Sequence, residues 1–281
     1  MSDRSSTEKD IGAVVHPTDL TALNDVAFAH ALKIAHAGQA KFYILHNQST
    51  IADHIDWSTF PGVRKMLADW QLLEAESSRV EVAEQLGIHV AKVEVLRRDP
   101  VKGIVHFLEG HDCDLLVLAT HGREGLSRWL HGSVAEPIAR QADVNVLFVR
   151  EGSRGFIDPK NGEIHLRRIL IPIDHKPRAE PAISAAKQLS RLLGSDISIR
   201  LLHVGDYADM PVLSGTPGGA ELSVRHGNIV DEILDAASDW DADLIAMSTA
   251  GHQGFLDALR GSTSERVLRH APCPVLVVPT A

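Results

Sequence analysis

The chain has little cysteine, no long apolar run and no surplus of positive charge, and each shortage closes off a class of function. Two cysteines among 281 residues, Cys113 and Cys273, lie far apart and form no CxxC or metal-spaced pair. Reduced, structural thiols are the reading, which fits a cytosolic compartment. No apolar segment approaches the roughly 20 residues that a membrane helix needs. The opening MSDRSSTEKD has no apolar stretch of the kind a secretory leader carries. Residues 1–10 are therefore read as a flexible tail, and the chain is expected to be cytoplasmic and without a membrane partner. A formal charge of −9 argues against sequence-independent nucleic-acid binding, which needs a basic face to release phosphate counterions. It leaves room for a small anion held by backbone N–H groups.

What the chain does have is an ordinary globular composition and an internal repeat. Hydrophobic and charged fractions of 44% and 23% are those of a soluble protein, and the length suits two domains, each with its own core. Asp114–Val149 aligns on Asp243–Val278 with 14 of 36 positions identical, far more than chance gives. The matches include Gly122/Gly251, Gly125/Gly254, Gly132/Gly261, Ser133/Ser262 and Glu136/Glu265. Upstream, VVHPTD (14–19) pairs with ILIPID (169–174), and ILH (44–46) with LLH (201–203). A whole domain is duplicated, with expected limits of 11–150 and 167–281.

Each copy alternates strands with helices. In the first, GAVVHP, KFYILH, HVAKVEVL, DLLVLAT and VNVLFV read as strands. Between them, Asn24–Ala37 with its Gly38 stop, a long segment Val63–Leu86, a segment opened by Asp99-Pro100, and Ser133–Gln141 read as helices. Short, nearly continuous apolar strands separated by helices indicate parallel sheets covered on both faces. The fold class is therefore α/β, with two tandem open, mostly parallel five-stranded sheets flanked by helices. In the second copy GDYADMPVLSGTPGGAE replaces the long helix, so that copy is expected to lack one helix. Between the copies, GFIDPKNGEIHL reads as a linker hairpin over 151–166 about Asn-Gly. The apolar last strands, VNVLFV and PVLVV, are expected to pair, making a pseudo-dimer within one chain. A dimer of chains is compatible with the sequence, but no residue specifies it.

The segment THGREGLSRWLHGS (120–133) leads from a strand into a helix. Its glycines permit close backbone approach, and the helix start favours an anion. An ordinary strand-to-helix turn is the alternative. It is not a Walker A loop, because GKS or GKT is missing and no lysine lies inside it. Pro17-Thr18-Asp19 and Pro172-Ile173-Asp174 close the first strand of each copy on the same sheet edge. There Asp19 and Asp174 could accept hydrogen bonds from a ribose or an amino group, or simply cap the following turn.

With those residues in place, each half resembles the universal stress protein family, and the tandem arrangement resembles its two-domain members. The family signature is Gly-x2-Gly-x9-Gly followed by Ser or Thr. The chain departs from it at the first glycine, replaced by Ala119 and Ser248, and matches it at Gly122, Gly132 and Ser133 and at Gly251, Gly261 and Ser262. The resemblance implies the fold of that family and of adenine nucleotide α-hydrolase-like proteins. Its implied ligand is ATP or a related adenine nucleotide, alone or with Mg2+, and its implied output is regulatory, with slow hydrolysis or none. Carried over residue by residue, adenine and ribose contacts fall on Pro17, Asp19 and Phe42, and on Pro172, Asp174 and Ile199. Phosphate contacts fall on Gly122, Gly132, Ser133 and Val134, and on Gly251, Gly261, Ser262 and Thr263. A fuller complement of helices, Arg123 in place of His252, and Phe42 in place of Ile199, would make the first copy the better site.

Other chemistries find less support. His106, Glu109, His111 and Cys113, and separately Asp53, His54 and Asp56, are the densest metal-ligand clusters, but their spacing does not suit one helix face. No metal site and no catalytic residue is nominated, and no Gly-x-Ser-x-Gly elbow appears. His46 and His203 are read as satisfied, partly buried histidines. Against the nucleotide-binding regulator stand two alternatives. One is a nucleotide-free scaffold acting on small ligands or on protein partners that the sequence does not identify. The other is an ATP-dependent hydrolase or transferase, which lacks a visible base.

Overall fold

A computed structural model describes residues 11–18, 25–48, 62–120, 144–150, 152–213, 219–250 and 263–280. The first half runs β1 (Ala13–Pro17), α1 (Asp25–Ala37), β2 (Lys41–Gln48), α2 (Val63–Asp69), α3 (Arg79–Leu86), β3 (His89–Leu96), α4 (Pro100–Glu109), β4 (Leu115–Thr120) and β5 (Asn145–Arg150). The second runs β6 (Arg168–Pro172), α5 (Glu180–Leu192), β7 (Ser198–Val204), a 3-10 turn (Tyr207–Asp209), β8 (Glu221–Arg225), α6 (Ile229–Asp239), β9 (Leu244–Ala250), α7 (Thr263–His270) and β10 (Val275–Thr280).

The ten strands form one sheet in the order β3-β2-β1-β4-β5-β10-β9-β6-β7-β8. Pairing is parallel inside each half and antiparallel only where β5 meets β10. There Leu276 faces Leu147, Val275 faces Phe148 and Val277 faces Val146. Leu147 and Leu276 are equivalent positions of the repeat, so the pseudo-twofold axis passes through that pair. The same strands present apolar side chains to both faces. One layer joins α1, α2, the hairpin residues Phe156 and Ile157, and α5; the other joins α4, α6 and α7.

Repeated side-chain clamps fix each half. The Asp114 carboxylate accepts from the amides of Gly12 and Ala13 at 2.9 and 3.0 Å. Its counterpart Asp243 accepts from the amides of Arg167 and Arg168 at 2.8 and 2.9 Å. Asp99 caps α4 through Val101 N–H, and Asn228 caps α6 through Val230 and Asp231 N–H, as short polar side chains do at helix starts.

One expectation needs correction. The segment Val63–Leu86 is two helices, because Gln71 adopts a left-handed φ of 59° and Ser78 opens α3 with a capping box to Glu81. Between β7 and β8, among the described residues, the second half has a 3-10 turn where the first has this helical segment, in keeping with the expected loss. The helix expected over Ser133–Gln141 lies outside the described residues, as do the tail 1–10 and most of the glycine loops.

The segment after β5 folds back as a hairpin, with Ile157 opposite Ile164 and Gly162 at φ 70° after Asn161. It is tied to both halves. Arg154 pairs with Asp243 at 2.6 Å and with Asp241 at 3.1 Å. On the other side His30 Nδ1 donates to the Val26 carbonyl at 2.7 Å, while Nε2 accepts from the amides of Phe156 and Ile157 at 3.0 and 3.2 Å. Only a neutral ring fits, since a proton on Nε2 would face two N–H donors. Burial lowers the His30 pKa to about 4, against an opposing pull from the Val26 carbonyl.

A pH dependence follows. The unfolded chain takes up the proton first, near its ordinary value, so the contribution of His30 is whole above that value and is lost as pH falls toward about 4. The loss amounts to about 3 kcal/mol at the acid end. Urea denaturation of the wild type and His30→Gln at neutral and acid pH should show the smaller acid loss in the variant; equal losses would contradict this role.

Candidate functional site

In each half β1 or β6 pairs on one side with the second strand and on the other with the fourth. Crossovers from the central strand therefore leave in both directions, and a crevice opens at its carboxyl end. The chain leaving the strand is held identically twice. Thr18 N–H donates to the Leu45 carbonyl and Ile173 N–H to the Leu202 carbonyl, both at 2.8 Å. His46 Nδ1 reaches the Thr18 carbonyl at 2.8 Å, and His203 Nδ1 the Ile173 carbonyl at 3.4 Å. These histidines hold the carbonyl that directly precedes Asp19 or Asp174 in sequence. His203, expected to be satisfied and partly buried, is instead buried, and its Nε2 has no partner among the described residues.

The crevice of the second half is a cavity of about 230 Å³. Among the expected residues, Pro172, Asp174, Ser248 and Thr263 line it together. Its walls are Leu202 and Val204 from β7, Ile233 from α6 and Met247 from β9. Asp174 is exposed and accepts from the His175 amide at 2.6 Å, leaving carboxylate oxygen to spare. Thr263 and Ser264 are the first described residues of α7, and the dipole of a helix favours an anion toward its amino end. Lys176, which sequence reading passed over, also lines the cavity. Its only signal was its place two residues after Asp174.

Ser248 does more than leave room where the family has glycine. Helix α5 has no side-chain cap of its own, and the Ser248 hydroxyl accepts from the Ala182 amide in its first turn at 3.2 Å. Ala119, half-buried at the same place in β4, has no hydroxyl to offer.

The structure does not bring Phe42 or Ile199 to this edge. Phe42 pairs with Val14 near the amino end of β2, is fully buried, and packs against Phe28 at 5.7 Å between ring centroids. Ile199, buried at 7% exposure, pairs with Ile169 at the start of β7. Both are core residues at the opposite end of their strands from the crevice. In the first half Pro17 is buried at the end of β1. Asp19, Gly122, Arg123, Gly132, Ser133 and Val134 lie outside the described residues, as do Gly251, Gly261 and Ser262 in the second.

Of the metal-ligand candidates, His106 comes no nearer than 3.9 Å to Glu109. His111 instead stacks on Phe107 at 4.0 Å and bonds its carbonyl. Asp53, His54 and Asp56 lie outside the described residues. Cys273 is buried and its thiol is pushed up to about 12, chiefly by burial and then by Asp243, so it stays protonated and unreactive.

A family model described as the universal stress protein family matches residues 11–150 and 212–279. A universal stress protein of Methanocaldococcus jannaschii is 32% identical over 49% of this chain and 81% of its own length. Another, from Mycobacterium tuberculosis, is 25% identical over 66% and 68% respectively. Among solved structures, a universal stress protein from Archaeoglobus fulgidus aligns with TM-score 0.63 at 21% identity, over 97% of this chain and 100% of that one. The fold is thus shared across both halves, including residues 167–211, which the family model does not match.

Replacing Ser248 by alanine should leave the Ala182 amide unpartnered at the start of α5 and cost about 1 kcal/mol of stability. Urea denaturation checks this, and an unchanged midpoint would show that the hydroxyl contributes nothing there.

Proposed function

The chain belongs to the universal stress protein family, and from that premise we propose that it is a stress-response regulator that binds ATP or a related adenine nucleotide at the carboxyl edge of its strands. The observation that carries the reading is the crevice in the second half, where Asp174, Lys176, Ser248 and Thr263 meet around an apolar wall. The donor set fits the ligand class. Leu202, Val204, Ile233 and Met247 would cover the faces of a planar base, which loses little by leaving water. Asp174 would accept from ribose hydroxyls, which are good donors to a carboxylate. Lys176, the start of α7 and the hydroxyls of Thr263 and Ser264 would meet the phosphates. Gly251, Gly261 and Ser262, directly before α7 in sequence, would complete that cradle; Asp19, Gly122, Arg123, Gly132, Ser133 and Val134 would do the same in the first half.

Of the three grounds for ranking the first site above the second, Phe42 is removed by its burial in the core, while Arg123 and the fuller complement of helices remain. Mg2+ would accompany the phosphates rather than occupy a protein cage. Slow turnover follows from the same residues. Lysine, hydroxyls and helix N–H groups bind the ground state and the transition state alike, and binding of that kind does not raise the rate from the bound complex.

Calorimetric titration of the full chain tests the reading. ATP should bind, with Gly132→Asp and Gly261→Asp each removing one site. Lys176→Ala should weaken ATP about ten-fold, a loss of about 1.4 kcal/mol, while leaving adenosine nearly unchanged. Absence of ATP binding to the wild type would leave the nucleotide-free scaffold standing. Purified protein should turn over ATP well below about 1 s⁻¹, the lower end for dedicated enzymes. Faster turnover abolished by either glycine variant would make it an ATPase.

A further inference from the structure

A second cavity, of about 510 Å³, lies in the first half at the other end of the strands. Lys41 and His89, the paired first residues of β2 and β3, stand on its rim, and its lining runs along those strands no further than Tyr43 and Lys92, short of the carboxyl edge. Its wall is apolar: Val63 from α2, Val82 from α3, and Ile88 are buried, and Val90 is partly so. Around that wall stand Lys41, Arg64, Arg79 and Lys92, and no Asp or Glu is among the described lining residues. This is the reverse of the chain as a whole, where 37 acidic residues outnumber 28 lysines and arginines.

Arg64 and Arg79 contribute little to the fold. Arg79 makes no hydrogen bond or ion pair among the described residues, and Arg64 spends one N–H on the Ser77 carbonyl at 3.1 Å. Their charges are felt across the cavity. Burial, and then Arg79 and Arg64, hold the Lys92 ammonium below the usual lysine range, and a bound anion would relieve that repulsion.

We propose that this cavity binds a small amphipathic anion, a single carboxylate or phosphate carried on an apolar chain, with Arg64 and Arg79 on the charged group and Val63, Val82, Ile88 and Val90 along the chain. Cavities of a few hundred Å³, mainly apolar with a few convergent polar groups, are the usual form of small-ligand sites. Guanidinium forks match both carboxylate and phosphate. A nucleotide suits it poorly, since no carboxylate among the described lining residues offers a partner for ribose hydroxyls.

The probes are decanoate and decyl phosphate, with decanol and inorganic phosphate as controls, titrated into the full chain by calorimetry. The two amphipathic anions should bind, and both controls should bind at least about ten-fold more weakly. Arg64→Gln/Arg79→Gln should weaken the anions about ten-fold or more, as expected for loss of charge-assisted bonds. Gly261→Asp should leave them unchanged, which separates this site from the proposed nucleotide site. Since Arg64 holds Ser77, Arg79→Gln alone provides a second variant whose folding is not at issue. No binding of either probe to the wild type, equal binding by the arginine variants, or association with anionic vesicles but not with monomeric decyl phosphate would each overturn the proposal.

Discussion

The antiparallel pairing of β5 with β10 is the constraint from which the architecture follows. Each half ends in an apolar strand with one unpaired side, and such an edge recruits another strand wherever one is available. A duplicated chain carries the complementary strand within itself. The register is symmetric, with Leu147 against Leu276, so the contact is the intramolecular form of an isologous dimer interface. Because the pairing is antiparallel, the carboxyl ends of the two sets of strands point to opposite edges of the common sheet. Two ligand crevices built on the same rule therefore cannot merge, and each must be completed by the residues of its own half.

Around that seam, the repeated polar residues fix the ends of strands. Asp114 and Asp243 close the amino ends of β1 and β6 by accepting from pairs of amides. His46 and His203 hold the chain as it leaves the carboxyl ends. These residues satisfy backbone groups that a strand end would otherwise leave unpaired. The hairpin between the halves uses different means. Arg154 reaches the Asp243 carboxylate, while His30 receives the amides of Phe156 and Ile157. One strap thus engages both cores, so the halves are linked by side chains as well as by the sheet.

Much of this was legible because it rests on local rules. Glycine and proline punctuation marked the strand ends, Asn161-Gly162 marked the hairpin, and Asp99-Pro100 marked the start of α4. The break between α2 and α3 was also written in the chain, as Ser78 and Glu81 three residues apart, but the apolar period running through it masked the signal. Phe42 failed for a geometrical reason. Counting four residues back from His46 moves roughly 13 Å along a strand, from the crevice to the opposite end of the sheet, where the ring belongs to the core. Lys176 was hidden because it belongs to no repeated motif, and cavities gather residues that only the topology brings together. The Ser248 hydroxyl could not be foreseen as a cap, since its partner Ala182 is 66 residues away.

Duplication also explains how one fold can carry unlike surfaces. In the second half the cations on the corresponding strands are neutralised where they stand. Arg200 pairs with Glu221 at 2.7 Å and lies 4.3 Å over the Trp240 ring, while Arg225 reaches Asp239 at 2.8 Å. The third strand there is only five residues long, and no helices matching α2 and α3 are found among the described residues. The first half retains those two helices, and with them come Arg64 and Arg79, without carboxylates opposite. Arg64 and Arg79 are exposed, so leaving them unpaired costs little, and exposed ion pairs of the kind in the second half are likewise close to neutral for stability. The contrast is therefore one of surface chemistry rather than of stability. The repeated framework supports both halves, and the parts that differ between them are where separate binding chemistry can reside.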